Sequence, residues 1–139
     1  MDISNSKKQE LRKRFRAERS LRDLSETWTH IINSQEFSAA KTIASYISYG
    51  DEPQTKDLNL AILKSGKNLL LPRMLKDKSL EWIAWNGDAA TLVKSGKILE
   101  PKGNPISGTD IDIVIVPTLH ATREGHRLGQ GGGSYDRAL

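Results

Sequence analysis

The residues best suited to chemistry lie in the glycine-rich segment 125–137, near the end of the 139-residue chain. Five glycines fall within nine positions, Arg127 and Arg137 flank most of them, and Asp136 carries the one carboxylate. Glycine lacks a Cβ, so such a backbone adopts positive φ and comes close to a ligand. Successive amides and a following helix N-terminus bind anions. The segment therefore suits a triphosphate, with Arg127 at its oxygens and Asp136 near a metal ion.

A flexible glycine linker is the alternative interpretation of the same segment. The dinucleotide pattern G-x-G-x-x-G fails because Ser134 stands where its last glycine belongs, and the chain has no Gly-Lys-Ser/Thr of a Walker loop. Spacing alone leaves the two interpretations open.

Three further polar residues stand where they would meet such a ligand. Lys8 and Arg12 are four positions apart in a predicted basic helix over 7–24, so they share one helix face. Glu52 follows a predicted strand over 42–49, and ligands gather beyond the carboxyl ends of parallel strands. These residues are consistent with ATP and Mg²⁺ bound between the helix and the glycine-rich segment.

Composition narrows the class of protein. The chain has no cysteine, which excludes disulfides and cysteine-ligated zinc, and we expect a cytoplasmic protein. No apolar run is long enough to predict a membrane span, and the N-terminus does not resemble a secretory signal. The net charge is +4, and eight Lys/Arg residues lie between Lys7 and Arg22. A nucleic-acid-binding helix is therefore an alternative to a solvated basic helix.

Hydrophobic patterning predicts alternating strands and helices. A helix over 55–65 separates two strand-like runs, which indicates a βαβ unit. We expect a single α/β domain over 1–139, with a mostly parallel open sheet and flanking helices in a three-layer, Rossmann-like order. Ser25 is predicted to cap a second helix. The predicted strands are 42–49, 68–71, 80–85 and 111–116.

The run from Arg127 to Arg137 resembles the signature of the 5-formyltetrahydrofolate cyclo-ligases, also called 5,10-methenyltetrahydrofolate synthetases. Three earlier segments resemble that family in the same order: Lys8-x-x-Leu11-Arg12, Tyr46-Ile47 followed by Glu52, and Leu71-Pro72-Arg73. The resemblance implies conversion of 5-formyltetrahydrofolate, ATP and Mg²⁺ into 5,10-methenyltetrahydrofolate, ADP and phosphate. In the mechanism that it implies, the formyl oxygen attacks the γ-phosphate, N10 closes the ring and phosphate leaves.

The resemblance also implies roles for individual residues. Arg127 and Arg12 would be catalytic, Ile47 and Glu52 would bind the reduced folate, and Asp136 would bind Mg²⁺. The implied ATP-binding residues are Lys8, Arg12, Arg127, Leu128, Gly129, Gln130, Gly131, Gly132, Gly133, Ser134 and Tyr135. Of these, Gln130, Gly131, Gly132, Gly133 and Ser134 would also contact the folate.

Two features depart from the family pattern. Ser134 stands where many relatives carry a second tyrosine, which removes an aromatic wall but keeps a hydroxyl. Relatives usually continue past the signature with further sheet and helix, including a late carboxylate for the metal, whereas this sequence stops at Leu139. We therefore expect a monomeric enzyme that lacks the usual C-terminal part, with an inactive folate- or nucleotide-binding remnant as the alternative.

Overall fold

The computed structural model describes residues 5–129 and 133–139. Its α-helices are α1 (Asn5–Ser20), α2 (Gln35–Ala39), α3 (Lys56–Lys64) and α4 (Ser134–Ala138). Its strands are β1 (Thr42–Ala44), β2 (Asn68–Met74), β3 (Leu80–Ala84), β4 (Leu92–Ser95), β5 (Ile98–Pro101), β6 (Ile113–Val114), β7 (His120–Ala121) and β8 (Arg127–Leu128). Short 3₁₀ turns cover Thr29–Asn33, Ala89–Thr91 and Gly108–Asp110.

The main sheet has four strands in the order β3-β2-β1-β6. The central strand β1 runs parallel to β2 and to β6, with Ile43 beside Leu69 and Ile113, and only β3 is antiparallel. The unit β1–α3–β2 is the predicted βαβ unit. The structure thus confirms an α/β fold with a mostly parallel sheet, while the three-layer, Rossmann-like order and the single domain stay predictions.

Apolar side chains pack on both faces of this sheet. On one face, Ile43 and Leu69 pack with Leu58 and Ile62 of α3 and with Phe37 of α2. On the other face, Ala44, Leu70 and Trp82 form a second buried cluster, and Tyr135 of α4 packs against it. Because successive strand residues face opposite sides, the apolar run Leu69–Leu71 serves both faces, as a doubly covered strand requires.

The predicted strands 42–49 and 111–116 are longer than the observed ones. β1 ends at Ala44. Ser45 N still bonds to Leu70 O of β2, but Tyr46 O accepts hydrogen bonds from side chains instead, at 2.7 Å from Thr55 Oγ1 just before α3 and at 3.0 Å from Asn59 Nδ2 within it. β6 covers only Ile113–Val114, although backbone bonds to β1 extend from Asp112 to Ile115.

The predicted helix over 7–24 begins at Asn5 and ends at Ser20. The predicted range was too long at its C-terminal end, where Leu21 and Leu24 lie beyond the helix and are 88% and 40% exposed. The one residue of α1 that is buried is Arg19. The most buried contact of the helix is therefore made by a charged side chain, for which hydrophobic periodicity gives no signal.

The second predicted helix begins later than Ser25. Ser25 lies outside any helix, and Trp28 has a left-handed backbone (φ 61°) immediately before a 3₁₀ turn. The residue that caps α2 is Ser34, whose hydroxyl accepts a hydrogen bond from Phe37 N at 3.3 Å. Ser34 satisfies an amide that would otherwise have no partner at the helix start.

Two antiparallel hairpins were not predicted. β4 pairs with β5, and β7 pairs with β8, which places Arg127 and Leu128 in a strand rather than in a continuous glycine loop. The predicted loop over 125–137 is therefore divided, with β8 at one end and α4 at the other. No helix in the described ranges is long and apolar enough to cross a bilayer.

Candidate functional site

A cavity of about 240 Å³ lies at the carboxyl ends of the three parallel strands. Tyr49 and Glu52 follow β1, Met74 ends β2 and Pro117 follows β6. The opposite wall consists of Arg127, Gly129, Gly133, Ser134, Tyr135 and Asp136. A smaller space of about 90 Å³ shares Tyr49, Glu52 and Tyr135 with it and adds Tyr46 and Ile47. The two spaces are parts of one cleft, where ligands bind in open α/β sheets.

Buried polar side chains of α3 and of the residue just before it, Thr55, hold the first wall in place. Asn59 is 1% exposed, donates to Tyr46 O and accepts from Ser45 Oγ at 2.6 Å. Thr55 is 3% exposed, donates to the same carbonyl and accepts from Ser48 N at 2.9 Å. These bonds turn the chain out of the sheet after Ala44 and direct it along the cleft.

Glu52 is a buried carboxylate in this wall. It accepts a hydrogen bond from Tyr49 N at 2.9 Å, and burial raises its pKa above the ordinary value, although that bond and the charge of Arg19 oppose the shift. Burial, and to a smaller extent the charge of Glu52, raises the pKa of Tyr46. Burial, followed by the charges of Tyr46 and Glu52, raises the pKa of Tyr135. Both tyrosines therefore remain protonated hydrogen-bond donors at neutral pH.

An ion pair joins the strand and the helix of the second wall. Arg127 Nη2 donates to Asp136 Oδ1 at 2.6 Å, so β8 and α4 are fixed to each other on either side of the glycine run. The Arg127 side chain is 23% exposed and that of Asp136 is 74% exposed. Arg127 is thus the more enclosed partner and faces a cavity that also contains Glu52.

Ser134 is the buried polar group of this wall. The residue is 8% exposed, it begins α4, and its hydroxyl has no hydrogen-bond partner within the part of the chain that the structure describes. A buried hydroxyl without a partner costs roughly 1–3 kcal/mol. Because Ser134 lines the cavity, a ligand oxygen or N–H that reached its enclosed hydroxyl would satisfy it.

The basic helix reaches the second wall through Arg12. Its Nε donates to the carbonyl of Gly129 at 3.0 Å, and Phe15 of the same helix stacks on His120 of β7 with ring centroids 4.2 Å apart. Gly129 of the glycine-rich segment therefore lies next to the helix, while ATP and Mg²⁺ bound between the two stay a prediction.

The structure brings most of the predicted site residues together, although it does not test their roles. Glu52, Arg127, Gly129, Gly133, Ser134, Tyr135 and Asp136 line the cavity, Ile47 lines the smaller space, and Arg12 contacts Gly129. Lys8 lies one helical turn before Arg12 and is not among the lining residues, nor is Leu128, whose carbonyl bonds to Leu119 N and Thr118 Oγ1 within the hairpin. Gln130, Gly131 and Gly132 lie outside the described residues.

Several lining residues were missed from the sequence. Tyr49, Met74 and Pro117 stand at strand ends, where the rule used for Glu52 applies equally. Ile98 comes from the β4–β5 hairpin. The signal for that hairpin was Gly96, which has φ of 62° at a two-residue turn between short strands.

The donors at the site fit one metal ion that is held mainly by the phosphates of a bound substrate. The described residues contain no group of three His, Asp or Glu side chains placed to hold a metal. Mg²⁺ is commonly bound by one or two carboxylates together with waters and substrate phosphates. Asp136, exposed at the cavity and paired with Arg127, fits that arrangement as a single carboxylate ligand.

Known proteins of one family resemble this chain in sequence. A family model described as the 5-formyltetrahydrofolate cyclo-ligase family matches residues 5–139. A Haemophilus influenzae protein named 5-formyltetrahydrofolate cyclo-ligase is 33% identical over 115 residues, which are 79% of this chain and 62% of that protein. A Mus musculus protein of the same name is 28% identical over 142 residues, covering 94% of this chain and 70% of the relative.

Solved structures agree with these matches. The NMR structure of the 5,10-methenyltetrahydrofolate synthetase of Aquifex aeolicus has a TM-score of 0.78 at 29% identity and covers 94% of this chain and 70% of that one. The corresponding Mycoplasma pneumoniae protein has a TM-score of 0.68 at 21% identity, covering 94% and 75%, and shows the fold alone. The chain spans 62% of the Haemophilus influenzae relative and 56% of the one from Mycolicibacterium smegmatis. The chain belongs to the 5-formyltetrahydrofolate cyclo-ligase family.

Proposed function

We propose that this protein converts 5-formyltetrahydrofolate to 5,10-methenyltetrahydrofolate, with ATP cleaved to ADP and phosphate in a Mg²⁺-dependent reaction. Family membership supports the reaction class. The observation that carries the proposal for this chain is the cavity itself, in which the buried carboxylate Glu52 faces a wall containing Arg127 and the unpartnered hydroxyl of Ser134. One wall suits a polar heterocycle and the other suits phosphate.

In the proposed reaction the formyl oxygen attacks the γ-phosphorus of ATP, and the bond from that phosphorus to the ADP oxygen breaks. N10 then attacks the former formyl carbon, phosphate leaves with the former formyl oxygen, and N10 loses its proton. Phosphorylation is needed because the oxygen of an amide is a poor leaving group. The protein contributes position and charge rather than a covalent intermediate.

The cavity residues divide between the two substrates in this proposal. Glu52 accepts hydrogen bonds from the pterin, and Ile47 packs beside it. Arg12 and Arg127 neutralise charge on the phosphates, with Lys8 one turn away on the same helix, and Ser134 bonds to the ligand between the two walls. Backbone groups of Leu128, Gly129 and Gly133, together with Tyr135 and the undescribed Gln130, Gly131 and Gly132, complete the nucleotide contacts.

Mg²⁺ would supply charge neutralisation on the triphosphate, and Asp136 would hold it. Because Arg127 pairs with Asp136 in the described structure, nucleotide binding requires both side chains to exchange this contact for the phosphates and the metal. Of the finer features of the proposal, ATP and Mg²⁺ rest on the resemblance and on these donors, the cytoplasmic location rests on the absence of cysteine, and the monomeric state is an expectation alone.

Turnover is tested by the near-ultraviolet absorbance of the methenyl product together with ADP release, in purified folded protein. Arg127→Ala should raise the apparent KM for ATP by about ten- to a hundredfold, because a hydrogen bond to a charged group is worth about 1.5–3 kcal/mol. Arg123→Ala is the matched control, since Arg123 is an exposed arginine in the same hairpin. Absence of product at high protein concentration, with unfolding still cooperative, would defeat the enzymatic proposal.

Binding without turnover is the second candidate function. It is favoured because Asp136 is the one carboxylate that the second wall offers to a metal ion, and that carboxylate is already paired with Arg127. Isothermal calorimetry distinguishes the two candidates: heat on addition of 5-formyltetrahydrofolate or ATP, with no product formed, supports the binding function.

A further inference from the structure

Helix α1 contacts both walls of the cleft from one of its faces. Arg12, Phe15 and Arg19 follow one another at intervals of three and four residues, so they project from the same side of the helix. Arg12 contacts Gly129 and Phe15 contacts His120, both in or beside the second wall. Arg19 contacts Asp51, which immediately precedes Glu52 of the first wall. The two walls are distant in sequence, and α1 touches each.

Arg19 is held in a way that sets it apart from the other arginines of this helix. Its side chain is 9% exposed, and its Nε donates to Asp51 Oδ1 at 2.8 Å. The Arg14–Glu18 pair of the same helix has side chains that are 68% and 47% exposed. Burying a charge is costly without a partner, whereas an exposed pair contributes about 0–1 kcal/mol. A buried arginine on a basic surface helix therefore indicates a specific contact rather than a solvated charge.

We propose that Arg19 is a positioning residue, whose ion pair with Asp51 fixes α1 to the Tyr49–Glu52 turn and thereby places Arg12 beside the nucleotide. The inference rests on the proposed function for its kinetic consequence, but the contacts that carry it are independent of the reaction. Arg19 touches neither substrate in this proposal. It sets the separation between the wall that holds Glu52 and the wall that holds Gly129.

The surroundings of Arg19 support a role toward the cleft. Its positive charge acts on Glu52 and on Tyr46, and in each case it lowers the pKa against the larger effect of burial. The facing acidic groups are Asp51 and Glu52, both in the turn after Tyr49. Loss of the ion pair would therefore loosen both the helix and the turn.

The test compares two substitutions that each remove the carboxylate of one Arg–carboxylate pair. Asp51→Asn breaks the pair that contains the buried Arg19, although Asp51 itself is 39% exposed, and Glu18→Gln breaks a pair in which both side chains are exposed, with the same change in charge. We expect Asp51→Asn to raise the apparent KM for ATP about tenfold and to change kcat less than about twofold, whereas Glu18→Gln changes both less than about twofold. Amide hydrogen exchange should quicken in α1 and in residues 49–52 of Asp51→Asn alone.

A second pair of variants tests the arginine itself. Arg19→Lys keeps the charge and should recover part of the nucleotide affinity that Arg19→Met loses. Equal behaviour of Asp51→Asn and Glu18→Gln in both kinetics and exchange would overturn the proposal, as would a loss in kcat with KM unchanged. If the wild-type protein turns nothing over, the proposed function fails, and the exchange comparison still decides whether Arg19 and Asp51 hold the helix.

Discussion

At the scale of single residues, the site is marked by polar groups that the fold buries. Glu52 and Ser134 are 6% and 8% exposed, and both line the same cavity. Ser134 lacks a hydrogen-bond partner among the described residues, and Glu52 accepts one backbone N–H. Folding alone would favour apolar side chains at such positions. The cost is understandable if these groups are satisfied when ligand is bound.

Ser134→Ala tests this explanation through two effects of opposite sign. Removing an unpartnered buried hydroxyl should leave the free energy of unfolding unchanged or raise it by up to about 1 kcal/mol, while the KM for the ligand that it contacts rises about three- to tenfold. Chemical denaturation and steady-state kinetics measure the two quantities. Ser34→Ala, which removes a helix cap, is the control. It should lower the free energy of unfolding by about 1 kcal/mol and leave the KM for ATP and the KM for the folate unaltered. A destabilised Ser134→Ala with normal kinetics would show a purely structural serine.

Glu52→Gln tests the buried carboxylate through its dependence on pH. Since burial raises the folded-state pKa of Glu52 above its ordinary value of 4.5, its contribution to stability is fully present below that value and is lost as pH rises through the folded pKa. The wild-type protein should therefore lose stability relative to Glu52→Gln as pH rises above the ordinary value of 4.5. Urea unfolding at several pH values measures this difference. A difference in unfolding free energy that is constant with pH, or that grows in favour of the wild type, would contradict a raised pKa for Glu52 in the folded protein.

At the scale of elements, the decisive segment is the stretch after β1. Its composition is typical of a strand, yet side chains of α3 take over its backbone hydrogen bonds from Tyr46 onward. The result is that Tyr46, Tyr49 and Glu52 line the cleft instead of continuing the sheet. Asn59 is the central residue of this network, since it connects Ser45 with the Tyr46 carbonyl.

Asn59→Ala should lower the free energy of unfolding by about 2–3 kcal/mol, because it leaves buried groups of Ser45 and Tyr46 with fewer partners. The KM for the folate should rise as well, since the wall that carries Glu52 loses its support. Denaturation followed by the kinetic assay measures both effects. Asn104→Ala, at an exposed loop position, is the control and should change neither. A destabilised Asn59→Ala with an unchanged KM for the folate would show that this hydrogen-bond network supports the fold but not the folate site.

At the scale of the whole molecule, the net charge of +4 is concentrated near the N-terminus, which kept a nucleic-acid-binding function open. The structure shows that Arg12 and Arg19 of this basic segment point toward the protein, where they contact Gly129 and Asp51. The charge available to an extended phosphate backbone is therefore smaller than the composition indicates. Arg12 lies beside the cleft through its contact with Gly129, whereas the charge of Arg19 is taken up by Asp51.

The nucleic-acid alternative is tested by duplex DNA affinity measured over a series of salt concentrations. We expect weak binding that disappears near 0.15 M salt, about the physiological ionic strength. A specific DNA-binding function would require strong binding with a log–log slope of about −0.9 for each phosphate neutralised. A chain with Lys7, Lys13 and Arg16 replaced by glutamine leaves Arg12 and Arg19 intact and serves as the control for nonspecific charge.

The sequence by itself determined the family, the α/β class and most of the cavity lining. The reason is that these rest on local features: the order of types in the segment 127–137, the apolar run of β2, and a carboxylate placed just after a strand. Glu52 could be named because the carboxyl ends of parallel strands meet at one edge of a sheet. Each of these signals lies within a few residues of the group that it identifies.

Only the tertiary structure decided what depends on partners far away in sequence. Arg19 lies 32 positions from Asp51, and Arg12 lies 117 positions from Gly129. The end of β1 was set by α3, and Arg127 was placed in a strand by its pairing with Ala121. A charged or polar side chain carries the same sequence signal whether it faces water or a buried partner, because hydrophobic periodicity reports apolar burial alone. The contacts of Arg12 and Arg19 that hold α1 against this cleft can therefore be read only from the folded structure.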